Sequence, residues 1–280
     1  MSLEPFGVRL RRAMDTRGPL CVGIDPHASL LTAWGLNDDV AGLETFTYTV
    51  VEALADRVAV LKPQSAFFER FGSRGIAVLE QAVARARVAG ALVLMDAKRG
   101  DIGSTMGAYA STYLDKDSPL FSDALTVSPY LGFGSLRPAL DAARISGAGV
   151  FVLALTSNPE GAEVQRSTAA DGRSLAQVML DHIARENGPQ GPEQPLGSVG
   201  AVVGATLAEA GVDLGINGPL LAPGMGAQGA TAADLPRIFG AAVRNVLPSF
   251  SRGVLRHGPS VAALRESAAR EAADLAKVVK

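Results

Sequence analysis

Four charged side chains crowd the end of one apolar run in the sequence. Residues 95–105 read MDAKRGDIGST and continue the run GALVLM, whose composition is typical of a buried strand. Side chains two positions apart on a strand share a face, so Asp96 and Lys98 are expected to point together and Arg99 elsewhere. An ammonium group beside carboxylates stays protonated and is held in place, which is what a proton donor requires. The pattern therefore favours proton-transfer chemistry at this strand end.

The same charges also have structural interpretations. Asp96 and Lys98 would form a buried ion pair, although the desolvation of such pairs is costly and the cost favours a functional use. Asp101 follows Gly100, past the strand, where the sequence turns into the helical stretch MGAYASTYLDK. Asp101 or Ser104 would there be placed to cap a helix, which is the alternative to a functional role for Asp101.

A glycine-rich loop near the carboxyl terminus predicts an anion site. PGMGAQGATAADL, residues 223–235, follows an apolar run and is expected to open a helix, so that free backbone N–H groups and the helix amino terminus would favour phosphate. Arg252, expected on the next strand, adds a forked donor. The loop also matches the dinucleotide fingerprint G-x-G-x-x-G, but it lies far from the first strand, and no acid occurs between Asp234 and Glu266. A nicotinamide site is therefore disfavoured.

The elements that must position these groups form a regular series. Short apolar runs alternate with amphipathic segments of helical periodicity, and the pattern predicts an α/β fold, a single (β/α)8 TIM barrel spanning residues 1–280. A doubly wound open sheet is the alternative. The eight runs cover residues 20–25, 58–62, 91–96, 124–128, 150–155, 199–204, 219–223 and 245–250.

Nine residues at the run ends, eight of them polar or charged, favour the barrel. They fall at or just beyond the carboxyl ends of different runs, and barrel enzymes place their sites on that rim. The residues are Asp25, Lys62, Asp96, Ser128, Thr156, Ser157, Thr206, Pro223 and Arg252.

One segment interrupts the alternation. Residues 187–198 read NGPQGPEQPLGS, and the three prolines and three glycines prevent continuous helix or strand. The segment is predicted to be a Pro/Gly-rich surface loop before the sixth strand, with a domain linker as the alternative.

Composition narrows the choice of ligand. The chain has a formal net charge of -2 and 5% aromatic residues, which gives neither a basic footprint nor stacking platforms for nucleic acid or anionic membranes. No signal peptide or long apolar segment is evident, so a cytoplasmic protein with a small-molecule ligand is expected. Cys21 is the single cysteine, which excludes an internal disulfide and a thiolate metal cluster, and it is expected to be buried and structural.

These motifs resemble those of the orotidine 5'-monophosphate decarboxylase family. DAKRGDIGST is similar to the family signature D-x-K-x-x-D-I-x-x-T. Further family motifs follow the expected order along the chain, and the length and the stretch SPYLGFGSL resemble the longer bacterial branch. The matching positions are GIDP at 23–26, Lys62 in VAVLKPQ, Ser157 in LTSNPEG, PGMGAQG at 223–229 and Arg252 in FSRGVL.

The resemblance implies a decarboxylation without metal or other cofactor. Orotidine 5'-monophosphate would lose CO2 to give UMP, the last step of de novo pyrimidine nucleotide synthesis. Lys98 would stabilise and protonate the C6 carbanion. Asp96 would face the leaving carboxylate, and Lys62 would complete the charge network.

The resemblance also implies a substrate-binding set and a homodimer. Asp101 and Thr105 would reach across the dimer interface into the neighbouring site. The remaining family contacts are Asp25 and Lys62 to the ribose, Ser157 to the pyrimidine, Gln228 between phosphate and base, and Pro223, Gly224 and Arg252 at the phosphate.

Two other functions remain open at this point. A sister enzyme of the same suprafamily would act on a keto-sugar phosphate with a magnesium ion held by the acids of D-x-K-x-x-D. Lys62 opposes this reading, because a cation stands where those sisters place an acid. A non-catalytic barrel that binds nucleotide or sugar phosphate would have no use for both Asp96 and Lys98.

Overall fold

Eight parallel strands close into a barrel in the order in which they occur along the chain. The structure is a computed structural model that describes residues 4–189 and 195–279. Cys21 of the first strand pairs with Ser249 of the last, which closes the sheet and excludes the open doubly wound alternative. The predicted (β/α)8 barrel is confirmed. The strands are β1 Cys21–Ile24, β2 Val60–Pro63, β3 Leu92–Arg99, β4 Ala124–Val127, β5 Gly149–Leu155, β6 Val199–Val203, β7 Leu220–Pro223 and β8 Val246–Phe250.

Helices cover the outside of the barrel and close one end of it. The structure also contains short 3-10 turns at Phe133–Leu136, Ala232–Asp234 and Gly240–Asn245. The α-helices are α1 Phe6–Arg17, α2 Ala28–Ala33, α3 Val40–Leu54, α4 Ala66–Glu69, α5 Gly72–Val88, α6 Gly103–Leu114, α7 Arg137–Ser146, α8 Gly161–Gln165, α9 Leu175–Asn187, α10 Leu235–Phe239, α11 Arg252–Leu255 and α12 Val261–Leu275.

One βα unit departs from the predicted alternation. Residues 204–219, between β6 and β7, form no helix. The segment reads GATLAEAGVDLGINGP, and its four glycines and terminal proline interrupt any helical run. The carboxyl end of β6 is therefore joined to β7 by irregular chain that packs Leu214 and Ile216 inward.

Strand alternation sorts the side chains into two cores. On β1, Cys21 belongs to the cluster inside the barrel, whereas Val22 and Ile24 pack outward against the helices. Cys21 has no exposed surface, and burial raises the pKa of its thiol to about 12. The prediction that Cys21 is buried is confirmed.

Helix α1 seals the amino-terminal end of the barrel. Phe6, Leu10 and Met14 are buried against the inner core. The Arg9 guanidinium contacts the Asp123 carboxylate and donates to the Gly147 carbonyl at 2.8 Å. Because this end is closed, the opening of the barrel is at the carboxyl-terminal rim.

The Pro/Gly-rich segment lies between α9 and β6 along the chain. Residues 190–194 of that segment lie outside the described residues. The Asn187 side chain joins the end of α9 to the start of β6. Its Nδ2 donates to the Val199 carbonyl at 2.7 Å, and its Oδ1 accepts from the Val199 N–H at 3.1 Å. Within the described ranges, no helix combines the length and apolarity of a membrane span.

We expect Phe6→Ala to lower the free energy of unfolding by about 3–5 kcal/mol, because it leaves a cavity beneath the barrel. Phe6 is 1% exposed and stacks edge-to-face on Phe151 at 5.9 Å between ring centroids. Urea unfolding measures the change. Arg12→Ala on the exposed face of α1 is the control, with an expected change within about 0.5 kcal/mol. Equal stabilities of the two variants would contradict the role of α1 as a seal.

Candidate active site

A cleft of about 360 Å³ opens at the carboxyl-terminal ends of the strands. Most of the strands contribute to its lining, and the charged groups cluster on β2 and β3. Among the lining residues are Asp25, Lys62, Asp96, Lys98, Thr126, Thr156, Pro223, Gly224, Gln228, Ser251 and Arg252. The structure thus brings together most of the residues that the sequence singled out.

The Asp96 carboxylate lies between two ammonium groups. Lys62 Nζ donates to Asp96 Oδ2 at 2.7 Å, and Lys98 Nζ donates to Oδ1 at 2.6 Å. The Lys62 and Asp96 side chains are 6% and 8% exposed, whereas that of Lys98 is 43% exposed. Lys62 is therefore the buried anchor, and Lys98 is the ammonium that faces the cleft.

The two buried charges stabilise one another. Burial alone would raise the pKa of the Asp96 carboxyl, but attraction from Lys62 and Lys98 outweighs it and holds the pKa well below its usual range. Burial likewise acts to lower the pKa of Lys62, and attraction from Asp96 and Asp25 instead raises it. Both groups are charged at neutral pH.

Thr126 on β4 joins this cluster, and the sequence analysis missed it. Its Oγ1 donates to Asp96 Oδ1 at 2.9 Å and accepts from the Lys98 backbone N–H at 3.0 Å. It is 1% exposed. The available signal was that Thr126 is the polar residue of the otherwise apolar strand ALTV.

The end of β3 is irregular where it presents Lys98. The pairing register with β4 shifts between Met95 and Arg99, and Lys98 has a φ of 46°. Such a positive φ is uncommon for a residue with a side chain. Asp96 and Lys98 meet on one side as predicted, but through this distortion rather than through regular alternation. The Arg99 side chain turns away to the Glu69 carboxylate and to the Tyr113 hydroxyl at 3.2 Å.

Asp101 and Thr105 do not line the cleft of this chain. Asp101 Oδ1 accepts from the Ile102 N–H at 2.8 Å, and Thr105 is exposed on α6. The alternative that Asp101 or Ser104 caps this helix is wrong. Ile102 occupies the N-cap position without a side-chain cap, and Ser104 lies inside the first turn.

Thr156, rather than its neighbour Ser157, lines the cleft at the end of β5. Thr156 is fixed by Gln165, whose Oε1 accepts from the Thr156 N–H at 2.8 Å. Ser157 is exposed and lies beside Gly204, where an added Cβ would be 3.2 Å from the Ser157 Cβ.

Two polar atoms, one just after β1 and one just after β8, are buried without a hydrogen-bond partner among the described residues. They are Asp25 Oδ1 and Ser251 Oγ, and both residues line the cleft. They flank Gly23, where a Cβ would lie 3.1 Å from Asp25 Oδ1 and 3.2 Å from Ser251 Cβ. The sequence analysis missed Ser251, which directly precedes Arg252.

The glycine-rich loop after β7 folds on itself before a helical segment begins. Gly224, Gly226 and Gly229 have φ values of 102°, 69° and 101°. The Gly226 N–H donates to the Ala230 carbonyl at 2.8 Å. A helical segment then begins within residues 223–235, as predicted: a 3-10 turn at Ala232–Asp234 leads into α10 at Leu235. The positive φ of Gly229 is incompatible with a helix that starts in the loop.

The loop and the chain after β8 form the two sides of one end of the cleft. β8 ends at Phe250, so Arg252 is the first residue of α11 and not a strand residue as expected. A Cβ on Gly253 would lie 3.9 Å from the Gly226 Cα, and one on Gly224 would lie 3.2 Å from Gln228 Oε1. Gln228 thus folds back over Gly224 opposite Arg252.

The fold and the cleft define a class of protein: a (β/α)8-barrel enzyme with a lysine–aspartate–lysine cluster at its open rim. Within the described ranges, no group of three or more His, Cys, Asp or Glu side chains has the arrangement of a metal site.

Comparison with known proteins gives the family. The family model described as Orotidine 5'-phosphate decarboxylase / HUMPS family matches residues 18–267. An orotidine 5'-phosphate decarboxylase of Streptomyces coelicolor is 74% identical over 278 residues, covering 99% of both chains. One of Salinispora arenicola is 65% identical over 273 residues, covering 97% of both. The chain belongs to the orotidine 5'-phosphate decarboxylase / HUMPS family.

A solved structure agrees with this assignment. A candidate orotidine 5'-phosphate decarboxylase from Streptomyces avermitilis superposes with a TM-score of 0.96 at 72% identity, covering 100% of this chain and 97% of the other. The predictions of the family and of a carboxy-lyase are confirmed.

We expect Asp96→Asn to lower the free energy of unfolding at pH 7 by roughly 3 kcal/mol, because Lys62 loses its closest counter-charge in a buried position. Because folding lowers the pKa of Asp96, the ionised carboxylate stabilises the fold fully at pH values above 3.8, the pKa of the group in the unfolded chain. This stabilisation is lost as the pH falls through the pKa of Asp96 in the folded protein. The difference between the proteins should therefore narrow below about pH 4.

Urea unfolding at several pH values measures this difference. Asp56→Asn, in an exposed pair with Arg57, is the matched control and should change little at any pH. An Asp96→Asn protein as stable as the unchanged protein at pH 7 would show that the carboxylate is not needed to hold the two lysines.

Proposed function

We propose that this chain decarboxylates orotidine 5'-monophosphate to UMP and CO2 without a metal or other cofactor. The observation that carries the proposal is the Lys98 ammonium, held at the cleft by Asp96 at 2.6 Å while Lys62 anchors the other carboxylate oxygen. The names of the relatives support the same reaction. UMP is a pyrimidine nucleotide, so the reaction would belong to pyrimidine biosynthesis.

The reaction needs stabilisation of negative charge at C6. The bond between C6 and the carboxylate breaks, CO2 leaves, and the electron pair remains on C6. The Lys98 ammonium stabilises this pair and then transfers one proton to C6, after which solvent reprotonates the amine. A fixed ammonium lowers the barrier because it needs no reorientation as the charge develops.

Asp96 acts in this proposal mainly by positioning Lys98. Its charge is compensated by two ammonium groups at hydrogen-bond distance. The three groups together carry a net charge of +1. Although Asp96 repels the substrate's carboxylate, the net interaction of the cluster with the anionic substrate is therefore attractive. Lys62 is needed because it keeps Asp96 ionised in a buried place.

The remaining cleft residues suit a nucleotide monophosphate. The Arg252 guanidinium and the glycine-rich loop would hold the phosphate, since the N–H groups of Ala227 and Gln228 have no acceptor among the described residues. Asp25 Oδ1 is free to accept from a ribose hydroxyl, with Lys62 beside it. Pro223 and Gly224 shape the phosphate end, and Gln228 would bridge phosphate and base. Ser157 is assigned to the pyrimidine through its motif alone.

We further propose a homodimer in which Asp101 and Thr105 complete the neighbour's site. Both residues lie outside their own cleft, beside exposed apolar side chains at the same rim. Ile102, Tyr130 and Leu131 are 62%, 78% and 53% exposed, which is typical of a surface covered by a partner. The whole chain, residues 1–280, would act as one catalytic domain.

Purified protein should convert orotidine 5'-monophosphate to UMP at the same rate with and without a chelator. The loss of the substrate's ultraviolet absorbance measures the rate. Dependence on magnesium would support the keto-sugar-phosphate sister. Binding without turnover would support a non-catalytic barrel.

Lys98→Ala should reduce kcat by roughly a thousandfold or more, because charge stabilisation and proton transfer are both lost. UMP binding, measured by calorimetry, and the unfolding curve should change little. Lys116→Ala, on the chain after α6, is the control for loss of a lysine. Activity of Lys98→Ala within tenfold of the unchanged protein would refute the assigned mechanism.

Mixing inactive Lys98→Ala and Asp101→Asn proteins in equal amounts should restore about a quarter of the activity of the unchanged protein, since half of the dimers would be mixed and each would hold one intact site. Subunits are exchanged by mild denaturation and refolding, and the activity is compared with that of each variant treated alone. An inactive mixture that contains heterodimers would exclude the shared site.

A further inference from the structure

The hydroxyl of Thr126 contacts both Asp96 and Lys98 of β3. Its Oγ1 is 2.9 Å from Asp96 Oδ1 and 3.0 Å from the Lys98 backbone nitrogen. The Lys98 N–H can only donate, so the hydroxyl accepts there and must direct its own proton to the carboxylate. The direction of both hydrogen bonds is therefore determined.

The first bond orients the carboxylate. Asp96 Oδ1 accepts from Thr126 and Lys98, and Oδ2 accepts from Lys62. Rotation of the carboxylate would break all three contacts. Thr126 therefore holds Oδ1 on the side of Lys98 independently of the lysine itself, whose side chain is 43% exposed and otherwise free to move.

The second bond holds the distorted backbone of Lys98. The φ of 46° and the register shift before Arg99 leave the Lys98 N–H without a regular ladder acceptor, and the Thr126 hydroxyl takes that place. On the far side, the Arg99 carbonyl accepts from the Ser128 N–H at 2.8 Å, which resumes pairing with the chain after β4. Without the hydroxyl, Lys98 would relax toward ordinary strand angles and its side chain would change direction.

We propose that Thr126 is a positioning residue for decarboxylation: its hydroxyl sets the direction of the Lys98 ammonium through the Lys98 backbone and through Asp96. The inference rests on the proposed function. A role in packing alone makes a different prediction, because Thr126 is 1% exposed and valine would fill the same space without the hydroxyl.

Three variants separate positioning from packing. Thr126→Val removes both hydrogen bonds at nearly constant shape, and Thr126→Ser keeps the hydroxyl. Thr47→Val is the matched control, because Thr47 on α3 is also buried but its hydroxyl has no partner among the described residues. Circular dichroism and urea unfolding establish that each variant is folded.

We expect Thr126→Val to lower kcat by roughly a hundredfold, with the KM for orotidine 5'-monophosphate and the Kd for UMP within about threefold, because misplacement affects the transition state more than binding. Thr126→Ser should keep kcat within about threefold, and Thr47→Val should be unchanged. Amide hydrogen exchange at Lys98 should accelerate in the valine variant and remain slow in the serine variant.

The outcomes distinguish this inference from the proposed function. An unchanged protein that does not decarboxylate the substrate would refute the function itself. An active protein whose kcat is insensitive to Thr126→Val, or equally reduced by valine and serine, would overturn the positioning role. If the valine variant does not fold, Thr126→Ala, which also lacks the hydroxyl, replaces it and must show the same contrast with serine.

Discussion

The rest of the site depends on one carboxylate shared by two ammonium groups. Asp96 is almost fully buried, and an isolated ion there would be neutralised rather than tolerated. Lys62 keeps it ionised, and the ionised carboxylate in turn holds Lys98, which alone of the three extends well into the cleft. Lys62 is thus the buried partner of Asp96, and Lys98 is the lysine that is accessible from the cleft.

The apolar inner core and the charged cluster lie at opposite ends of the barrel axis. The amino-terminal half contains apolar side chains and is sealed by α1, whereas the charged cluster occupies the opposite rim. Three neighbouring strands bring side chains from distant parts of the sequence together at the same height along the barrel axis. Lys62 and Asp96 stand on β2 and β3, and Thr126 on β4 completes the set. The distortion at Lys98 is sustained by these neighbours rather than by local propensity.

Local patterns were sufficient to predict the fold and the central charges. The apolar runs marked the strands, and Asp96, Lys98 and Lys62 stood out because charge at the end of a buried strand is unusual. Thr126 and Ser251 were missed because their importance comes from contacts across strands, which depend on register and not on sequence spacing. The alternative cap at Asp101 or Ser104 failed for a related reason, since the backbone conformation at the start of α6 overrode a short-range signal. Asp101, Thr105 and Ser157 lie outside the cleft of a single chain, and their assigned roles remain predictions.

The central claim is that Asp96 and Lys62 hold the Lys98 ammonium next to the position that C6 of the bound nucleotide occupies. A crystal structure of the protein with bound UMP tests it most directly. The account predicts that Lys98 Nζ lies about 3–3.5 Å from C6 while still paired with Asp96, and that Asp96 remains paired with Lys62. A Lys98 side chain directed away from the base, or an Asp96 carboxylate detached from both lysines, would contradict it.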